Sequence, residues 1–313
     1  MNKRRLGKQG PELTLVGLGT WAIGGPWTFG WGPSDDDESM RTIREGLDLG
    51  INWIDTAPAY GLGHAETLVG KVIKGNRDQV ILATKCGMVW NDQRQVRKSL
   101  KPESIRKEVE DSLRRLGKDV IDLMQFHWPD PSTPVEESWA ELAKLKAEGK
   151  VRWLGVSNFD VPLMEKCLAI EHIDSLQPPY SLFRRRIEKE ILPWCKDHGV
   201  GVIPYSPMFS GLLTGKLDIK KLAEDDWRLR NPEYREPKLS ENLAKVEKLR
   251  PIADAHGVEI GQVAVAWTCT HPAVTASIVG ARRVDQVRNN VKAAQVELTA
   301  DEIGEMEAIF PMD

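Results

Sequence analysis

Asp55, Tyr60, Lys85 and His127 bring a carboxylate, a phenol, an ammonium and an imidazole into the first half of the chain. That set can move protons. Asp55 and Tyr60 lie in residues 50–70, which read G-I-N-W-I-D-T-A-P-A-Y-G-L-G-H-A-E-T-L-V-G. A phenol has a pKa of about 10 when unperturbed, so it acts as a general acid when a nearby cation draws that value down. Lys85 is the candidate cation, and Asp55 is its expected ion-pair partner. His127 can hydrogen-bond a carbonyl oxygen and orient it. Taken singly, each residue has a plainer reading: a strand-end lysine or aspartate is commonly solvated, and a histidine commonly packs or caps. Together they form one coherent set. A strand-end lysine also suits Schiff-base chemistry, so an aldolase using Lys85 stands as an alternative.

Gathering residues this far apart requires short parallel strands that end at one rim. Eight apolar, β-rich runs fit: 15–18, 51–55, 80–84, 121–126, 153–157, 175–177, 201–204 and 276–279. They are mostly continuous rather than alternating, as expected of strands buried on both faces. Helical patterns separate them. Ser34 precedes an acidic turn and then Met40, Ile43 and Leu47 on one face. Pro102 opens a helix carrying Ile105, Val109, Leu113 and Leu116, which Gly117 stops. Thr133-Pro134-Val135-Glu136 reads as a capping box. Further helices are expected over 161–169, 188–198, 242–256, 260–270, 284–294 and 300–309.

Eight β-then-α units without a linker predict an α/β fold, a (β/α)8 TIM barrel, with residues 1–313 as a single domain. A doubly wound sheet is the competing arrangement. Residues 3–14, turning at Gly10-Pro11, predict an N-terminal β-hairpin closing the bottom of the barrel. Residues 206–240 are too long for a plain connector and read as a functional loop.

Composition narrows the partners. Lys plus Arg number 43 against 46 Asp plus Glu, and the net charge of -3 offers no general attraction to nucleic acid or anionic lipid. No apolar run reaches the roughly 18 residues of a membrane span, and no apolar h-region follows the basic start. Cys86, Cys167, Cys195 and Cys269 show no metal-ligand spacing, so reduced thiols, no metal and a cytoplasmic location are expected.

Gly17-Leu18-Gly19-Thr20-Trp21-Ala22 satisfies the dinucleotide fingerprint G-x-G-x-x-A. The fingerprint needs a helix opening at once toward a pyrophosphate. Here Gly24-Gly25-Pro26 intervenes, followed by Trp27, Phe29 and Trp31. An aromatic loop at a pocket rim is the better reading, with tryptophans that merely cap a barrel as the plain one.

The motifs together resemble the aldo-keto reductase superfamily, nicotinamide-dependent carbonyl reductases on a (β/α)8 barrel. Residues 50–70 are similar to its first signature, and Lys150-Val151-Arg152-Trp153-Leu154-Gly155-Val156-Ser157-Asn158-Phe159 to its second. The resemblance implies that Tyr60 is the general acid and that Asp55, Lys85 and His127 complete a catalytic tetrad. It places Ser157, Asn158 and Gln177 on the nicotinamide carboxamide, Tyr205 on the ring, and Thr20, Trp21 and Asp55 beside the cofactor. Ser206, Gly211, Leu213 and Lys216 fall in the loop over the pyrophosphate; the plain reading of Tyr205-Ser206-Pro207 is a turn. The third signature departs, with Gly280 and Gln286 where many members carry lysine and arginine. That departure looks more like bacterial reductases and potassium-channel β-subunit relatives than aldose reductase. Arg282 and Asn290 still offer grips for a 2′-phosphate and adenine, so NADPH is favoured over NADH.

The resemblance thus implies hydride transfer to an aldehyde or ketone. Tyr60 and His127 face the substrate, and Trp21, Trp31, Trp90 and Trp128 wall its pocket. The expected partner is a small carbonyl compound, without nucleic acid or membrane, and the expected state a monomer or weak oligomer. A redox-sensing subunit that binds NADPH with little turnover is the non-enzymatic alternative.

Overall fold

The eight apolar runs fold as eight parallel strands, hydrogen-bonded side by side in a curled sheet. The structure is a computed structural model that describes residues 1–27, 30, 32–75, 80–224 and 226–312. An antiparallel pair, β1 (Lys3–Arg5) and β2 (Glu12–Thr14), precedes the barrel strand β3 (Val16–Gly19). The next strands are β4 (Trp53–Asp55) and β5 (Ile81–Cys86), then a second antiparallel pair, β6 (Met88–Trp90) and β7 (Val96–Lys98). The barrel continues with β8 (Ile121–Phe126), β9 (Val151–Ser157), β10 (Ser175–Gln177), β11 (Gly201–Val202) and β12 (Ser277–Gly280). All six residues of β8 are buried, as the continuous apolar pattern predicts.

The ring closes between β11 and β12. Val202 N donates to Ala273 O at 3.1 Å, Thr275 N to Val202 O at 2.8 Å and Ile278 N to Pro204 O at 2.9 Å. Pro204 has no N–H to extend the ladder, which explains why β11 is so short. The expected (β/α)8 barrel is the fold.

The surrounding helices are α1 (Asp36–Asp48), α2 (His64–Ile73), α3 (Pro102–Leu116), α4 (Val135–Ala147), α5 (Val161–Leu168) and α6 (Ile191–His198). They continue with α7 (Lys238–Glu247), α8 (Arg250–Ala255), α9 (Ile260–Thr268), α10 (Val284–Asn290) and α11 (Ala300–Ile309). Two expectations need correction. The single helix expected over 242–256 is two, because Pro251 opens α8 instead of continuing α7. Thr133 does not cap α4: its hydroxyl donates to Asp130 Oδ2 at 3.1 Å, and α4 starts behind Pro134 with no side-chain cap.

Leu6 and Leu13, from the β1–β2 hairpin, are buried with Trp53, Leu123, Ile203 and Ile278 inside one end of the barrel. The Trp53 indole donates to Thr14 O at 2.9 Å and lies where any Cβ on Gly17 would stand. Truncating such a plug residue to alanine costs about 2–5 kcal/mol. With one end filled, only the carboxyl-terminal rim remains open to a ligand.

Candidate active site

Strand register sets the site. Asp55 on β4 pairs with Ala83 on β5, and Lys85 lies two residues further along, on the same inward face. Lys85 is 0% exposed, and its Nζ donates to Asp55 Oδ1 at 2.7 Å, Asp55 Oδ2 at 2.9 Å, Thr56 O at 2.9 Å and Tyr60 Oη at 3.2 Å. Gln177, from β10 across the barrel, donates to Asp55 Oδ2 at 2.8 Å. Thr20 N and Oγ1 both donate to Asp55 O, at 2.9 and 3.0 Å. A buried charge pair is tolerable only when its remaining donors and acceptors are met in this way.

The phenol of Tyr60 accepts from Lys85, so its own proton is directed elsewhere. Its ring stands edge-on to His127, with centroids 5.7 Å apart, and its other neighbour is Trp27 at 6.0 Å. Burial, seconded by the Asp55 carboxylate, pushes the Tyr60 pKa well above the ordinary phenol value. That direction runs opposite to the one expected from Lys85, and its causes are burial and Asp55. Burial also holds the Lys85 pKa below its usual value, against the opposing pull of Asp55. His127 is pushed well below the ordinary imidazole value by burial and by Lys85, and is therefore neutral.

Beside this floor, Ser157 Oγ donates to Gln177 O at 2.7 Å, and Asn158 Nδ2 donates to His127 O and Ser157 Oγ, each at 3.0 Å. Tyr205 Oη donates to Asn158 Oδ1 at 2.9 Å. Asn158, Ser206, Phe209 and Ser210 all adopt positive φ, between 46° and 62°, at the edge of this bed. Such strain costs about 1–3 kcal/mol per residue and concentrates where function requires a shape.

An open cleft of about 670 Å³ lies above these groups. Of the residues singled out in the sequence, it is lined by Trp21, Asp55, Tyr60, His127, Trp128, Ser157, Asn158, Gln177, Tyr205, Ser206, Gly211 and Gly280. Others stand apart. Leu213 is fully buried, and Lys216 reaches Glu259 on the surface. Gln286 Oε1 accepts from Arg282 N at 2.8 Å and Asn290 Nδ2 donates to Gly280 O at 3.1 Å, so both brace the loop that carries Arg282. The Arg282 guanidinium donates to Pro33 O, and burial, Arg283 and Arg228 hold its pKa down. Trp90 is half-buried in β6, off the cleft wall. Trp31 lies outside the described residues.

Met88, Lys98, Arg184 and Trp227 also line the cleft, and sequence reasoning missed them. Met88 and Lys98 face each other across the β6–β7 hairpin. Three-residue strands leave almost no periodic signal; the one cue is Gly87 directly after the lysine strand. Gly87 has φ +92°, and a Cβ there would meet Leu100 Cδ2 at 2.4 Å. Glu108 on α3 secures the joint, accepting from Gly87 N at 3.0 Å and from Ser104 Oγ at 3.2 Å. Burial raises its pKa to about 7.

The chemistry of the bed fits a flat ring bearing a carboxamide: amide and hydroxyl groups on one side, the Tyr205 phenol beside them. Gly280 borders the cleft, and a Cβ there would have only Gly19 O within 4 Å, at 3.9 Å. The missing side chain leaves room for a ligand rather than close packing.

The buried carboxylate–ammonium pair, the phenol beside it and this bed at the open rim set a proton donor next to room for such a ring. The Aldo/keto reductase family model matches residues 15–310, and the chain belongs to that family. It is 42% identical over 282 residues to the aldo-keto reductase YhdN of Bacillus subtilis (strain 168), covering 89% of this chain and 84% of that one. It is 37% identical over 312 residues to the NADH-specific methylglyoxal reductase of Escherichia coli (strain K12), covering 96% and 95%. The solved glycerol dehydrogenase AKR11B4 from Gluconobacter oxydans superposes with a TM-score of 0.91 at 40% identity, covering 100% of this chain and 98% of that one. Among the described residues there is no cluster of metal-binding side chains and no helix long and apolar enough to cross a membrane.

Proposed function

We propose that this protein reduces small aldehydes and ketones with NADPH, and that Tyr60 delivers the proton to the substrate oxygen. The observation that carries the reading is the Lys85 ammonium, 3.2 Å from the Tyr60 hydroxyl and bonded to both Asp55 oxygens. With that ammonium donating to its oxygen, the phenol points its proton into the cleft and can leave a phenolate stabilised by the same hydrogen bond. Neutral His127, edge-on to Tyr60, is placed to hydrogen-bond the carbonyl oxygen and fix its approach. Ser157, Asn158 and Gln177 would hold the nicotinamide carboxamide, and Tyr205 would cover the ring face. The bound cofactor supplies the hydride.

The preference for NADPH rests on Arg282, a half-buried guanidinium in the loop after β12. A 2′-phosphate would accept its planar fork of donors. In this reading Thr20 and Trp21 flank the cofactor, Asn290 and Gln286 hold the Arg282 loop, and Trp128 and Trp31 wall the substrate. The whole chain works as one domain in the cytoplasm, as a monomer or weak oligomer.

Tyr60→Phe is the test. Reduction of an aldehyde should fall by about 10²–10⁴-fold, while quenching of tryptophan fluorescence by NADPH persists. Unimpaired turnover in the variant sinks the assignment. Equal kcat/KM with NADPH and NADH in the unmodified enzyme removes the cofactor preference.

A further inference from the structure

We propose that Lys98 and Trp128 form a recognition site for an anionic group on the substrate, so that the preferred carbonyl compounds carry a carboxylate or phosphate. This rests on the carbonyl-reductase reading above and names the substrate class it left open.

Lys98 ends β7, lines the cleft, and holds its ammonium 5.0 Å from the centroid of the Trp128 ring. Lys98 and Trp128 line the same cleft as His127 and Tyr60, so a group held at Lys98 shares the space that those two residues border. Trp128 is 37% exposed, an unusual state for an indole, and Lys98 covers part of it.

Charge on the cleft wall is unbalanced. Among the described residues the only carboxylate that lines it is Asp55, and Lys85 and Gln177 already occupy that group. Among the described residues no carboxylate lies within ion-pair distance of Lys98 or of Arg184, the second cation on the wall. Arg184 instead stacks over Phe209, 4.8 Å from its ring centroid. Elsewhere on the chain, Lys107, Lys146, Lys150 and Arg106 each find a carboxylate. Among the described residues these two cations, both on the wall of one cleft in a chain of net charge -3, have no carboxylate partner, and together they give that wall a positive charge against the overall sign. Clefts concentrate such fields, and stacking on an indole holds an ammonium in place without neutralising it.

Lys98 is also on the wrong side to serve cofactor phosphates. The hairpin springs from β5, two strands away from β3 and further from β12, which leads into the Arg282 loop. The anion it suits is therefore part of the substrate.

Two matched pairs test the inference: 4-oxobutanoate against butanal, and glyceraldehyde 3-phosphate against glyceraldehyde. The unmodified enzyme should favour the anionic member of at least one pair by about tenfold in kcat/KM, through KM, and added salt should shrink the advantage. The pair showing it distinguishes carboxylate from phosphate. In Lys98→Met the ratio should collapse toward one, and Lys98→Arg should restore it. Equal kcat/KM within both pairs, or a preference that survives Lys98→Met, overturns the site. No reduction of any of the four compounds overturns the reductase reading beneath it.

Discussion

The floor and the rim of the cleft hold their charges by opposite means. On the floor, Asp55 and Lys85 are almost wholly buried and bound to each other, to Thr56, Tyr60, Gln177 and Thr20. At the rim, Lys98 and Arg184 rest on aromatic faces and stay exposed. The floor is over-determined: Asp55, Lys85 and Gln177 originate on strands whose positions the barrel fixes, and Thr20, Thr56 and Tyr60 join them from the loops just beyond. The rim is held by one hairpin and one irregular loop. A reaction requires fixed geometry to a fraction of an ångström, whereas selection among substrates tolerates a looser hold.

The largest expected effect breaks the floor. Lys85→Met should reduce turnover by about 10²–10⁴-fold and lower stability by about 3–5 kcal/mol, since it strands a buried carboxylate. The double variant Asp55→Asn/Lys85→Met should regain most of that stability and none of the activity. Urea denaturation alongside an aldehyde-reduction assay reads both; a double variant no more stable than the single one contradicts the ion-pair account.

Next in size is the joint between floor and rim. Glu108 has its pKa raised from 4.5 to about 7 by burial, and it faces Cys86, Gly87 and Ser104, with Arg115 on its own helix opposing the shift. Between those two values the folded chain keeps a proton that the unfolded chain has released. The contribution is fully present below pH 4.5 and is lost as pH rises through about 7, amounting to about 3 kcal/mol. Glu108→Gln, neutral throughout, should flatten the fall in urea midpoint between pH 5 and pH 7; an unchanged slope places the titration elsewhere. The smallest effect belongs to the rim, where Lys98→Met should alter stability by less than about 0.5 kcal/mol. A loss comparable to that of Lys85→Met would erase the contrast.

The floor was legible in the sequence and the rim was not, for reasons visible in particular residues. Runs such as 121–126 and 175–177 coincide with β8 and β10: all their residues are buried, and apolar Ile121, Leu123, Met124, Phe126 and Leu176 mark them despite the interspersed Asp122, Gln125, Ser175 and Gln177. Parallel strands end together, so a side chain just past each run had to meet its neighbours, and Asp55, Lys85 and Gln177 do. Met88 and Lys98 sit on strands too short to show a period, and Arg184 and Trp227 lie in segments without one. Residue types announce the charge beside Tyr60 but not its depth of burial, which is the first cause of its raised pKa. Thr133 likewise matched a capping pattern that Asp130 pre-empted.

The hairpin at residues 88–98 enters and leaves the barrel at one point, where Ser99 N donates to Gly87 O at 3.1 Å. Its strands pair only with each other. It is thus a cassette, beginning three residues beyond Lys85, that pairs with no barrel strand. Rewriting this single contiguous stretch would recast one side of the cleft and leave the eight parallel strands as they are.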